Sequence, residues 1–153
     1  MRKPDYMIMA KQLESLIEED SSYVPVLSNC AALLWEQFED INWAGFYLVK
    51  GDILVLGPFQ GKLACIHIEK GKGVCGTAWA SDSTQLVPNV HKFPGHIACD
   101  SASNSEVVVP VRREGEVVAV IDIDSPSFER FTAEDAQGLE LIAEVLGRSV
   151  EWN

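Results

Sequence analysis

The sequence predicts an α+β fold, a central antiparallel sheet with N- and C-terminal helices packed on it. Three observations carry that prediction. Helical periodicity is confined to the two ends of the chain, the middle is a series of short β-branched and aromatic runs, and the two best-marked strand pairs are joined by tight turns. Helices grouped around a block of hairpin-linked strands are the mark of α+β rather than of alternating α/β units.

Taken in order, Asp5 to Glu19 place Ile8, Met9, Leu13, Leu16 and Ile17 at helical spacing. A second helix runs from Tyr23 to about Phe38, opened by the Ser21-Ser22 cap signal and Pro25 in its first turn, with Cys30 on its apolar stripe as a small core residue. Ile41 to Lys50 is a strand, Lys50-Gly51-Asp52 its turn, and DILVLGPF its partner. On the first of these strands Trp43, Gly45, Tyr47 and Val49 share one face, which predicts an aromatic-walled recess with room at its floor. Leu63 to Ile68 reads as a short strand carrying Cys65. Gly71-Lys72-Gly73 then leads into a helix with Cys75 in its first turn, and Thr84 to Val87 is a further strand. Pro88 to Ser105 is irregular and long enough to suggest a functional loop. Glu106 to Arg112 and Glu116 to Asp124 form a second hairpin about Glu114-Gly115. Its second strand sets Val118, Val120, Asp122 and Asp124 on one face and Val117, Ala119, Ile121 and Ile123 on the other. A strand apolar on both sides is covered on both, so the two aspartates enter a recess rather than bulk water. The last helix spans Ala133 to about Glu151 behind a Thr132 cap.

With 153 residues and 47% hydrophobic content, residues 1–153 are expected to form one domain that buries roughly two-thirds of its unfolded surface. Formal net charge is −11, from 23 acidic against 12 basic residues. A surface that tracks phosphate needs the opposite sign, so neither nucleic acid nor an anionic membrane is an expected partner. No apolar run approaches the ~20 residues of a membrane span. The N-terminus turns acidic within one helix length, unlike a signal peptide. Cytoplasm is the expected compartment, where thiols stay reduced and a static disulfide framework is not expected.

The chemistry concentrates between Gln60 and Pro110, which hold Cys65, Cys75, Cys99 and all three histidines. Such a group is either metal-binding or redox-active. Cys65, His67, Cys75, His96 and Cys99 have the donor types of a zinc site, but no CxxC pair occurs, so the spacing argues against a structural one. Gly71 and Gly73 do not have P-loop spacing. Redox chemistry needs an accessible thiol, a second thiol within reach and a proton donor. Cys99 lies in the polar loop. A bond between it and Cys65 would close a loop of about 35 residues, worth roughly 4 kcal/mol in the chain-entropy picture. A bond of that kind that turns over requires a dithiol reductant. Asp122, Asp124 and Glu106 on adjoining strands supply a carboxylate cluster able to keep one proton near neutrality or to hold an ammonium group. His67, His91 and His96 read as loop or capping residues.

The segments INWAGFY, ACIHI, GKGVCGTAW, GHIACDSASNSE and IDIDSPSFERFT, in that order, resemble the free methionine-(R)-sulfoxide reductases, a family of single GAF-type domains. The resemblance runs from about Ile41 to the terminal helix. It implies reduction of free L-methionine-(R)-sulfoxide to methionine with no cofactor and no metal, in defence against oxidative stress. It implies that Cys99 attacks the sulfoxide sulfur and becomes a sulfenic acid, that Cys65 resolves it as a disulfide, and that Cys75 is a further thiol able to exchange. It also implies that Glu106, Asp122 and Asp124 bind the ammonium group and protonate the oxygen, beside a wall of Trp43 and Tyr47. Thioredoxin or glutaredoxin is the expected reductant, and a homodimer is compatible with the family. The competing expectation is a GAF module that senses a small ligand without chemistry.

Overall fold

The computed structural model of the chain describes residues 1–96 and 102–153. Helices α1 (Tyr6–Glu19) and α2 (Tyr23–Gln37) come first, then strands β1 (Trp43–Lys50), β2 (Ile53–Gly61) and β3 (His67–Glu69). Helix α3 (Gly73–Ser81), strand β4 (Gln85–Val87) and a single 3-10 turn (Val90–Lys92) lead to β5 (Ser105–Arg113), β6 (Glu116–Ser125) and helix α4 (Ala133–Ser149). The strands form one antiparallel sheet in the order β3-β2-β1-β6-β5-β4, as the α+β prediction requires.

Period-2 alternation divides the apolar residues between two sides. Ala44, Phe46 and Leu48 of β1, Ile121 and Ile123 of β6, and Val107 and Val109 of β5 face α1, α2 and α4. Leu13, Leu27, Leu34, Leu139, Ile142 and Leu146 complete that core and are fully enclosed. Each such side chain contributes roughly 1.5–3 kcal/mol by leaving water. Cys30 sits in the same core, as expected of it, and burial pushes its thiol up to about 12. The opposite side carries Trp43, Tyr47, Val108 and Val120, roofed by Val74, Cys75, Ala78 and Trp79 of α3.

The helix starts follow local chemistry. Asp5 accepts from the Ile8 N–H at 3.1 Å, and Thr132 and Asp135 form a reciprocal capping box at the head of α4. α1 is joined to α4 through Tyr6, whose hydroxyl donates to Asp135 Oδ1 at 2.6 Å. Among the described residues no helix is long and apolar enough to cross a membrane.

Two expectations change. Cys65 is not on a strand: β3 begins only at His67, and Cys65 lies in an irregular stretch before it. Strict alternation in β6 also fails at its start. Val111 pairs with Ala119 and Arg112 with Val117, so Val118 is an extra residue at a bulge. A bulge re-aims the side chains beyond it, and Val118 packs with the helical core while Val117 packs on the other side. Residues 97–101, which include Cys99 and part of the Pro88–Ser105 loop, lie outside the described residues.

Glycine at position 147 of α4 is set by contact, not by helix preference. A Cβ there would lie 1.9 Å from the Arg112 carbonyl oxygen of β5, so the helix rests directly on the strand backbone. Gly147→Ala, which would gain up to about 1 kcal/mol from helix propensity alone, is therefore expected to destabilise by about 1–3 kcal/mol through overpacking. Urea denaturation measures it, and a rise in the unfolding midpoint would show that α4 can back away from β5.

Candidate active site

The pairing of three strands builds the floor of the site. On β6, Asp124 stands opposite Trp43 of β1 on one side and Glu106 of β5 on the other. Two residues back, Asp122 lies between Gly45 and Val108, and Val120 follows between Tyr47 and Pro110. One face therefore carries three carboxylates next to two aromatic rings, which is the grouping anticipated for Glu106, Asp122, Asp124, Trp43 and Tyr47. The roof is α3. Its cap residue Lys72 and the positive φ of Gly73 (63°) start the helix so that Cys75 falls in its first turn above Asp122. One donor atom each from Cys75, Glu106 and Asp122 lie within 4.8 Å of one another, all three residues being buried. A partly enclosed cavity opens here, bounded by Trp43, Tyr47, Cys75, Glu106, Asp122 and Asp124.

The aromatic wall has a second task. Trp43 stacks on Phe59 and Tyr47 at ring separations of 5.1 and 5.9 Å. Its Nε1 donates to the Lys62 carbonyl at 3.1 Å, and the Tyr47 hydroxyl donates to the Cys65 carbonyl at 2.9 Å. Both polar tips thus hold the irregular stretch that carries Cys65, which Leu63 (91% exposed) and Ile66 (65% exposed) flank in solvent. The room expected beside Gly45 is not there. A Cβ at Gly45 would lie 2.3 Å from Phe59 Cβ, because the irregular register of β1 and β2 brings the β2 backbone close at that point. The glycine admits a strand, not a ligand.

From the far side, Asn104 anchors the loop. It accepts from Val90 N–H through its carbonyl at 3.0 Å, donates to the Ser125 carbonyl at 2.8 Å, and meets His91 Nε2 through Oδ1 at 2.8 Å. His91 is a structural residue, as read from the sequence. His67 is exposed on the edge strand. His96 instead borders the cavity, together with Ser103, which is held by Asn42 at 3.2 Å. Phe59, Ser103 and His96 were not among the site residues expected. Phe59 was visible only as one aromatic of a hairpin, and Ser103 and His96 lie in a loop where no period assigns a direction.

Burial dominates the electrostatics. It pushes the Glu106 carboxyl well above the usual carboxylate range, helped by the charges of Asp122 and Asp124 beside it. Asp122 is also raised by burial, against the lowering effect of hydrogen bonds with Glu106, Cys75 and Asp124. Glu106 is thus the member best fitted to keep a proton. Cys75 sits at a helix N-terminus, a position that by itself favours thiolate. Enclosure and the charges of Asp122 and Glu106 win, and the thiol is raised well above its ordinary range. Tyr47 is raised by burial too and remains a donor. No ion pair reaches Glu106 or Asp122 among the described residues, and Asp122 Oδ1 is buried without a hydrogen-bond partner. Among the described residues, then, no Lys or Arg offsets the charge of Glu106 or Asp122 by an ion pair.

Comparison with known proteins places this architecture. The family model for the GAF domain matches residues 26–151. The free methionine-R-sulfoxide reductase of Escherichia coli K12 is 51% identical over 141 residues, covering 92% of this chain and 86% of that one. The structure of fRMsr of Staphylococcus aureus in complex with substrate superposes with a TM-score of 0.92 at 44% identity, covering 99% of both chains. The free methionine-R-sulfoxide reductase of Neisseria meningitidis, also solved with its substrate, gives 0.88 at 44% identity over 93% of this chain and 86% of that one.

The raised Glu106 carboxyl has a measurable consequence. A folded-state pKa above the unfolded one favours folding at low pH, and that contribution is lost as pH rises from about 4.5 through the folded value. Glu106→Gln cannot ionise in either state. Its melting temperature relative to the parent protein is expected to climb as pH rises above about 4.5, by up to roughly 1.4 kcal/mol of stability per pH unit. Thermal denaturation across that range checks it; a constant offset would mean that Glu106 ionises as an ordinary carboxyl.

Proposed function

The chain belongs to the GAF domain family and, within it, to the free methionine-R-sulfoxide reductases, and we propose that residues 1–153 act as one such domain, reducing free L-methionine-(R)-sulfoxide to methionine by thiol chemistry. The observation that carries this reading is the row of Glu106, Asp124 and Asp122 on one sheet face beneath a thiol-bearing helix, with Glu106 and Asp122 buried, no Lys or Arg ion pair to either of those two among the described residues, and Asp122 Oδ1 without a hydrogen-bond partner. A free amino acid brings the missing cation as its ammonium group. Its short apolar side chain suits the Trp43 and Tyr47 wall, and the sulfoxide oxygen needs the proton that Glu106 is built to keep.

In the proposed reaction the Cys99 thiolate attacks the sulfoxide sulfur. As the sulfoxide oxygen takes a proton from the carboxylate cluster, its bond to the substrate sulfur breaks and a bond to the Cys99 sulfur forms; the transient bond between the two sulfurs breaks with its electron pair going to methionine, which leaves, and Cys99 is left as a sulfenic acid. Cys65 then attacks that sulfur, forming a disulfide and releasing water. A dithiol protein, thioredoxin or glutaredoxin, restores both thiols by exchange. Cys65 suits the resolving role in standing on an irregular, solvent-flanked stretch outside the carboxylate floor, and it is not among the free thiols. Cys75, fully enclosed, exchanges in this scheme only with a sulfur already inside the cavity. The cytoplasm, where such reductants are kept reduced, is the proposed compartment.

The test is turnover of the free R epimer against the free S epimer and a peptide-bound sulfoxide, with a thioredoxin system supplying electrons. Consumption of the free R epimer alone is expected. No turnover by fully reduced protein would replace the reductase with a ligand-sensing module. Two variants locate the chemistry. Cys99→Ser is expected to abolish reduction while binding is kept, and full activity there would sink the assignment. Asp124→Asn is expected to lower the rate at neutral pH roughly a hundredfold or more, within the range for positioned acids.

A further inference from the structure

The cluster of Cys75, Glu106 and Asp122 has a second capability, separate from thiol redox chemistry. A tetrahedral ion with metal–sulfur and metal–oxygen bonds of about 2.3 and 2.1 Å needs donors roughly 3.5 Å apart. One sulfur and two carboxylate oxygens already lie within 4.8 Å of one another, so small side-chain rotations bring them to that spacing. Each residue is held on a regular element: Cys75 on α3, Glu106 on β5 and Asp122 on β6. Independently of the cluster, Asp122 Oδ1 is buried with no hydrogen-bond partner in a residue only 5% exposed, an acceptor waiting for a donor or a cation. No Lys or Arg ion pair neutralises Glu106 or Asp122 among the described residues. His96 borders the same cavity, which leaves an imidazole or water for the fourth position.

We propose that Cys75, Glu106 and Asp122 bind one thiophilic divalent cation, of the zinc or cobalt(II) class, in competition with the cationic head of the substrate. The sulfur makes the site selective. Magnesium and calcium demand six or more oxygen donors, whereas thiolate with carboxylate or imidazole suits zinc and its neighbours. Binding exchanges protons for metal: the Cys75 S–H bond breaks, a metal–sulfur bond forms, and the thiol proton, together with any held by the two carboxyl groups, goes to solvent. No electron is transferred. The occupied site would lack both the ammonium contact and the stored proton, so the metal acts as a reversible inhibitor. Competition rests on the function proposed above; the metal site does not.

Cobalt(II) is the probe. Reduced, metal-free full-length protein titrated with it is expected to take up one equivalent, with visible ligand-field bands and a near-ultraviolet thiolate-to-cobalt charge-transfer band. Cys75→Ser should remove the charge-transfer band, Cys65→Ser and Cys99→Ser should keep it, zinc should displace the cobalt, and magnesium should not. With methionine-(R)-sulfoxide as substrate, zinc should raise the apparent KM without lowering kcat, and a chelator should reverse the effect. Absence of the band, its persistence in Cys75→Ser, or its loss in Cys65→Ser or Cys99→Ser would overturn the site. If Cys75→Ser does not fold, Glu106→Gln and Asp122→Asn decide: at least tenfold weaker cobalt binding is expected in each, and unchanged affinity in both refutes the proposal. If the sulfoxide is not turned over, the cobalt spectrum still answers for the metal.

Discussion

Three carboxylates set side by side on one sheet face, two of them, Glu106 and Asp122, buried and Asp124 half-buried, are the constraint around which the structure is arranged. Water would solvate them far better than a protein interior does, and each pKa unit by which burial moves a group is about 1.4 kcal/mol of differential cost between its charge states. A fold stable by only about 5–15 kcal/mol overall cannot carry many such groups. Here the penalty is met by division of labour across one sheet. The face toward α1, α2 and α4 is filled with enclosed Leu, Ile, Val and Phe side chains. The opposite face carries the acids, with Glu106 held toward its neutral form and the Cys75 thiol beside Asp122 as a hydrogen-bonding neighbour. Among the described residues, the helices at the two ends of the chain contribute nothing to the cavity lining, and they stabilise the site from the opposite face of the sheet.

The same division explains what could be read from the sequence. Helix positions, the two hairpins and the Thr132 cap depend on local periods and turn residues, and those were legible. So was the emergence of Asp122 and Asp124 from an apolar strand, because alternation along one strand is a local fact. What brings Glu106 and Trp43 to either side of Asp124 is register between strands far apart in the chain, and no local pattern contains it. The sequence supported a grouping of acids and aromatics without saying which stood opposite which. Where one extra residue enters a ladder, even the face is lost to pattern reading, as with Val117 and Val118. Gly45 shows a third limit. A glycine in a strand signals close approach, but whether a ligand or another backbone approaches depends on a neighbouring strand whose irregular register the sequence does not announce.

Cys65 was misplaced for a related reason. The alternation around it fits a strand, yet the segment is held largely by side chains: Trp43 and Tyr47 donate to the Lys62 and Cys65 carbonyls, one backbone bond joins Leu56 N–H to the Ile66 carbonyl, and regular pairing starts only at His67. The mechanism proposed above turns that difference to use. A resolving thiol has to reach a sulfur in the pocket and then present the resulting bond to a partner protein. A segment held at a few carbonyls and flanked by exposed Leu63 and Ile66 imposes fewer constraints on that movement than a fully paired strand would. Trp43 and Tyr47 therefore link the two halves of the site, since the rings that wall the cavity also position the backbone of the thiol at its rim.

On the proposed function, restriction to a free amino acid follows from the same charges. A methionine sulfoxide inside a polypeptide has the same side chain but no ammonium group, so docking it would bury the carboxylate row against a neutral amide. The loss is then larger than one missing contact, because each acid left unpaired in a dry pocket carries its own desolvation cost. Discrimination of this kind is steep in the way that polar sites reject analogues lacking a hydrogen-bonding group, whereas an apolar pocket distinguishes by size alone and only weakly. The aromatic wall by itself would accept either substrate. On the proposed function, Asp122, Asp124 and Glu106 make the site selective for the free amino acid, and the absence of a Lys or Arg ion pair to Glu106 or Asp122 among the described residues is what leaves the position open for the substrate to fill.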